Sequence, residues 1–183
     1  MLPAQKEGVP VKLLNTMDPK AQGTIISRNT APAKGVAKAV AAKDGITAIR
    51  IISTRMLNAY GFLKRVFEVF EKYKTPIDMI TTSEVAVSLT IDDDTNLAAI
   101  EKELGAFGEV EITTNQTIIC VVGQFTQEQA GAAIKVLNPI QHLPLRMISG
   151  GGSKSNISIL LDTQYKKEAL VALHEGLFAK TLI

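Results

Sequence analysis

The sequence predicts an α+β fold built from two ferredoxin-like units, the first inserted into the second. Three observations carry this. From residue 46 onward, strand and helix periodicities follow one another as strand, helix, strand, strand, helix, strand. After residue 115 the same order begins again. The second pass ends without its last strand, and an alternating stretch upstream of residue 46 can supply it.

In the first unit, residues 46–115, ITAIRIIS is a strand. GFLKRVFEVFEKY follows as a helix, with Phe62, Leu63, Val66, Phe67 and Phe70 at helical spacing. Pro76 closes that region, because proline disfavours helical geometry in the residue before it. Two strands come next, near 77–82 and 85–91; in the second, Val85, Val87, Leu89 and Ile91 alternate with Ala86, Ser88 and Thr90. DDDTNLAAIEKEL is a helix with Asp94 or Thr95 as its cap and Leu97, Ile100 and Leu104 on one stripe. Gly105 and Gly108 bracket its exit, and EVEIT is the last strand.

The second unit opens with the strand TIICVVGQ. QEQAGAAIKVL is predicted as a helix with Ala130, Ala133, Ile134 and Leu137 inward, and Pro139 bars its extension. LPLRMIS and NISILLD form a strand pair across GGGSKS. The last helix, QYKKEALVALHEGLF, carries Tyr165, Ala169, Leu173 and Leu177 at four-residue steps. Residues 36–42, within GVAKAVAAKDG, are the expected donor of the missing strand, a short helix being the other reading of AKAVAA. The second unit is therefore residues 36–45 plus 116–178, and residues 1–35 are a junction or linker.

Composition limits the function classes. With 46% apolar and 21% charged residues the chain reads as globular and soluble, expected in the cytoplasm. A formal charge of +2 does not suggest nucleic acid as a partner. No apolar run has the length of a membrane span, and MLPAQKEGVP lacks the apolar core of a signal peptide. Cys120, inside TIICVV, is expected to be a buried structural thiol.

RMLNAYGF, the helix VFEVFEKY and above all IDMITTSEVAVSLT resemble the regulatory region of aspartate kinases of the lysine-sensitive type, and RMISGGGSKSNISILL resembles its second half. The resemblance covers essentially the whole chain and implies two ACT domains, the first inserted into the second. PVKLLNTMDPKAQGTIISRNT is similar to the junction where the kinase domain of that family ends. The chain has no Lys-Phe-Gly-Gly type signature of that kinase domain and no Walker-type loop. The resemblance therefore implies a regulatory portion with no catalytic residue of its own. ATP and magnesium would be used by the kinase domain, which phosphorylates aspartate.

The same resemblance implies an amino-acid effector held where two first ACT units meet in a homodimer, with lysine favoured and threonine second. It implicates Met56, Ala59, Gly61, Phe62, Leu63, Ile77 and Asp78 from one subunit, facing Thr82, Ser83 and Glu84. Ala59 stands where that family often has a hydroxyl residue. The residue types suit the task. Asp78 supplies an anion for an ammonium group, and backbone N–H groups at Gly61, opening a helix, suit a carboxylate. Apolar side chains near Ile77, Met79 and Ile80 are expected to be covered by the dimer.

Other features read as structural. GGGSKS is a hairpin turn rather than a phosphate loop, since no helix follows it. Asp92, Asp93 and Asp94 are expected to be solvated strand-exit charges, and His142 and His174 lack metal-ligand spacing. A free-standing ACT-type module is the alternative reading; a DNA-binding element would favour one form of it, and none is evident. A small ferredoxin-like hydrolase finds no support in Arg50, Arg55 or Arg65.

Overall fold

The computed structural model describes residues 2–27, 37–57, 60–125 and 130–178. The chain divides into two compact units, Met1–Lys34 and Gly35–Ile183. The smaller has a short helix α1 (Leu2–Lys6) and an antiparallel hairpin of β1 (Val11–Leu13) and β2 (Thr24–Ile26), in which Val11 faces Ile26.

The larger unit is organised by two very long strands, β3 (Ala37–Ile52) and β6 (Glu109–Gly123). Between them lie α2 (Phe62–Lys72), β4 (Met79–Thr82), β5 (Ala86–Ile91) and α3 (Leu97–Leu104). After β6 come α4 (Ala132–Leu137), β7 (Leu145–Ser149), β8 (Asn156–Asp162) and α5 (Lys166–Phe178). One six-stranded antiparallel sheet results, in the order β4-β5-β3-β6-β8-β7.

The sequence predicts four separate strands where the structure has two. Each long strand serves both halves of the sheet. Residues 47–52 of β3 pair with β5, whereas residues 37–43 pair with residues 118–123 of β6, which β8 flanks on its other side. AKAVAA is thus strand, not helix; Val36 lies outside the described residues. Gly45 does not end the strand. It adopts φ 72°, the β3–β6 register shifts between Lys43, Ile46 and Ala48, and Asn115 across the ladder takes φ 57°. A bulge with left-handed backbone bends a ladder without breaking it.

Alternation along these strands sends side chains to both faces. On the helix-covered face Ile49, Ile51, Val87, Leu89 and Ile91 pack with Phe62, Val66, Phe70, Ile100 and Leu104. In the other half Ile119, Val121, Ile159 and Leu161 pack with Val136, Ile140, Ala169 and Leu173. Each such fully buried aliphatic side chain contributes about 1.5–3 kcal/mol. A third cluster, Ile46, Met79, Ile118, Met147 and Leu160, lies on the opposite face and brings β4 of one half beside β7 of the other.

Several inward positions differ from expectation. In α2, Val69 is buried and Phe67 is 41% exposed; Leu63 is 36% exposed. In α4, Gly131 at φ 78° precedes the first helical residue, so the helix starts later and turns by a different phase than expected. Ala132 and Val136 face inward, and Ile134 is 70% exposed. Asn96, not Asp94 or Thr95, precedes α3, and its amide donates to the Tyr73 carbonyl instead of capping. Val85 is exposed, while Thr90, on the face expected to be polar, is buried and accepts a hydrogen bond from the Met79 N–H. Cys120 is half-buried, with the Asn156 amide 3.6 Å from its sulfur.

Gly108 has a packing role that the sequence does not reveal. A Cβ there would lie 2.2 Å from the Ile52 carbonyl oxygen, in backbone that cannot move aside cheaply. Gly108→Ala should therefore cost about 1–3 kcal/mol, the usual range for overpacking, in urea denaturation. Gly150→Ala, whose Cβ would meet only Ile157 at 3.7 Å, is the matched control and should be near neutral.

Candidate functional site

The residues implicated in effector binding divide between the two ends of β4. At one end β3 runs out at Ile52, and Ser53 donates its N–H to the Val85 carbonyl and its hydroxyl to the Phe107 carbonyl. Met56 closes a 3-10 turn there by donating to the Ser53 carbonyl. Gly61, at φ 76°, precedes α2 in a conformation that favours glycine. Phe62 packs edge-on to Phe107 with centroids 6.4 Å apart. Thr82, Ser83 and Glu84 belong to this same end, since the Ser83 N–H donates to the Ala86 carbonyl at the β4–β5 turn.

Ile77 and Asp78 occupy the opposite end. The Asp78 N–H donates to the Thr90 carbonyl, and Met79 pairs with Thr90. Four residues of extended chain separate Asp78 from Thr82, about 13 Å. The expected grouping of Asp78 with Met56, Gly61, Phe62 and Leu63 thus spans both ends of β4 within a single copy. Those four group with residues 82–84, because α2 begins beside the far end of β3 and returns along the sheet. Ala59 lies outside the described residues. Phe62 is a core residue, 4% exposed.

α2 begins with no side-chain cap. Its first N–H groups have no partner within the helix, which suits them to a carboxylate. At the other end, Asp78 is already engaged. Lys43 Nζ lies 3.2 and 3.3 Å from its two carboxylate oxygens and 2.6 Å from Asp92. Asp92 is thus not simply solvated, as its position at a strand exit suggests. Its hydrogen bond to Lys43 holds its carboxyl below the usual aspartate value, and the same bond holds the Lys43 ammonium above the usual lysine value. Lys43 and Asp92 carry no motif in the sequence. Their pairing spans 49 residues and follows only from the β3–β5 register.

The next residue, Asp44, faces the other half of the sheet. It accepts from the Thr117 hydroxyl at 2.9 Å and pairs with Lys166 at 2.5 Å. Elsewhere on the sheet, a cleft of about 420 Å³ adjoins the Thr82 end, lined by Thr81, Ser83, Ser88, Arg50, Glu111 and Arg146 among others, with Arg50 and Glu111 paired at 3.3 Å. A second cleft, about 850 Å³, lies by α4 and α5 and includes none of the predicted site residues. Among the described residues no group of three or more His, Cys, Asp or Glu could hold a metal, and no helix is long and apolar enough to cross a membrane.

Comparison with known proteins agrees with the repeated architecture. The ACT domain family matches residues 49–102 and 119–177, once in each half. The chain is 33% identical to aspartokinase 3, chloroplastic, of Arabidopsis thaliana, over 97% of its own length and 34% of that protein. It thus spans about a third of the length of such curated relatives. A candidate C-terminal regulatory domain of aspartate kinase from Porphyromonas gingivalis W83 has 46% identity and a TM-score of 0.70, covering 76% of this chain and 96% of that one. E. coli aspartokinase III in complex with lysine and aspartate, in the T-state, has 30% identity and a TM-score of 0.85, covering 97% of this chain and 41% of that one.

The Lys43–Asp92 pair predicts a titration. A carboxyl depressed in the folded state contributes stability above its unfolded pKa, and that contribution is lost as pH falls through the folded pKa. The pair should be intact at neutral pH and break only in acid. Carboxyl-carbon NMR should show Asp92 titrating below an ordinary aspartate, and Lys43→Met should move it back up. An unchanged Asp92 midpoint in that variant would disprove the pairing.

Proposed function

The chain belongs to the ACT domain family, and from that premise we propose that it is the regulatory region of a cytoplasmic aspartate kinase, binding an amino acid between two copies of its first half. In this reading residues 46–115 are the first ACT unit, inserted into a second made of residues 36–45 and 116–178. The pairing of residues 37–43 with 118–123 supports that division. The attached kinase domain, with its ATP and magnesium, would phosphorylate aspartate, and the effector would inhibit it.

One observation carries the site. β4 ends the sheet, and its two ends bear complementary groups: the Asp78 carboxylate at one, the uncapped α2 N-terminus with Thr82 and Ser83 at the other. Neither end alone suits a zwitterion. If two copies pair their β4 edges antiparallel about a twofold axis near Ile80 and Thr81, Asp78 of one protomer meets the partner's Ser83, and two equivalent sites form. Half-exposed Ile77 and Ile80 sit along that edge; Met79 is already in the core and is removed from the expected interface. Exposed Leu63 and Phe67 on α2 add apolar surface.

Lysine is the favoured effector, since E. coli aspartokinase III was solved with it, and threonine is second. Couplings between such sites and a catalytic centre are typically about 1–3 kcal/mol. A free-standing ACT-type module remains the other reading, which the likeness to kinase regulatory regions does not favour.

Calorimetry of the chain against lysine, threonine and methionine should show saturable binding to one of them, and no heat from any would refute the sensing role. Asp78→Asn keeps shape and removes charge. Because the Asp78 side chain is 29% exposed, the loss should be modest, about 1–2 kcal/mol or roughly tenfold in affinity. Light scattering should show a dimer at tens of micromolar, about where a standard interface holds, strengthened by the effector. A monomer with and without lysine would rule out the shared site.

A further inference from the structure

The Asp78 carboxylate that would receive an effector ammonium already holds one, and it comes from the chain itself. Lys43 Nζ contacts both Asp78 oxygens, at 3.2 and 3.3 Å, and lies closer still, at 2.6 Å, to Asp92. This is the chemistry expected of a bound amine, supplied by a side chain 49% exposed and free to swing on its stem. We propose that Lys43 is an internal competitor for Asp78, which the effector's ammonium displaces and which Asp92 then retains. The inference rests on the effector site proposed above and names the residue that tunes it.

The geometry allows this exchange at little cost. Asp92 is the nearer partner, so Lys43 keeps a charge-assisted bond when it leaves Asp78 and is not stranded. Asp78 is not left bare in the empty state, because it shares the Lys43 ammonium with Asp92. Effector affinity is then the difference between two ammonium groups at one carboxylate, which keeps it moderate and adjustable.

The position of Lys43 gives the exchange a direction. Lys43 lies on the part of β3 that pairs with residues 118–123 of β6, whereas Asp78 and Asp92 flank β4 and β5. Its neighbour Asp44 is held by Thr117 and Lys166. Lys43, Asp44 and Gly45, at the bulge, are thus tied to both halves of the sheet. Displacing Lys43 from Asp78 releases one of those ties and leaves the Asp44 side in place.

Calorimetry with L-lysine as the probe tests this on the 183-residue chain as parent, Lys43→Met, Asp92→Asn and the double variant. Exposed ion pairs are weak, so each change should be small, about two- to fivefold in affinity. Lys43→Met should bind lysine more tightly, since the competitor is gone. Asp92→Asn should bind it more weakly, since Lys43 is left with Asp78 alone. The double variant should match Lys43→Met, because Asp92 acts only through Lys43. Thermal unfolding of each variant checks that the fold is kept. Equal binding by parent and Lys43→Met would overturn the displacement and leave the proposed site standing. Weaker binding by Lys43→Met would also overturn it, making Lys43 a support of Asp78. Absence of binding in the parent would remove the site, and the displacement with it.

Discussion

The continuous β3–β6 ladder is the constraint on which the rest of this protein depends. Two strands of 16 and 15 residues far exceed the usual strand of three to ten. A strand of that length has to serve two cores, and alternation makes it do so. Ile49 and Ile51 face one helix pair, Ile119 and Val121 face another, and Ile46 and Ile118 project to the opposite face. Separate strands would leave two small domains joined by linkers. The shared ladder makes a displacement in one half a displacement of backbone that also belongs to the other.

The bend in that ladder concentrates charge. A bulge leaves backbone groups unpaired and re-aims side chains, and here it falls at Asp44 and Gly45 between two ionic contacts of opposite orientation. Exposed ion pairs add little stability. Their worth here lies in geometry, because Lys43 reports on the β4 end of the sheet and Asp44 on the α5 end. Ile46 and Ile118 at the same bend are packed in the core, so the ionic contacts are the exchangeable part of what holds it. Where an effector binds such an edge, only a small free energy is needed to change the balance.

The division of the proposed effector-binding residues between the two ends of β4 bears on assembly. A single copy presents a carboxylate without the helix N-terminus it would need beside it to hold a zwitterion, and the reverse at the other end. Antiparallel self-pairing of an edge strand also removes the exposed ladder edge that sheet proteins must otherwise protect. In the proposed dimer, the contact that would complete the site would also cover this edge of the fold.

Much of this was legible in the amino-acid sequence. Element order, the repeat, the hairpin at GGGSKS and the buried stripes Ile100–Leu104 and Ala169–Leu173 follow from periodicity and turn chemistry, which are local. The likeness to aspartate kinase regulatory regions was legible through IDMITTSEVAVSLT and RMLNAYGF, because short motifs travel intact. What the tertiary structure decided is everything set by strand register. It fused four strands into two, since Gly45 and Asn115 bend the ladder where sequence signals suggest breaks. It turned α4 by the phase that Gly131 imposes, exposing Ile134. It parted Asp78 from Gly61 by the length of β4 and set Lys43 between Asp78 and Asp92. Period-two and 3.6-residue patterns say which face a side chain takes; only the pairing of distant strands says which charge it meets there.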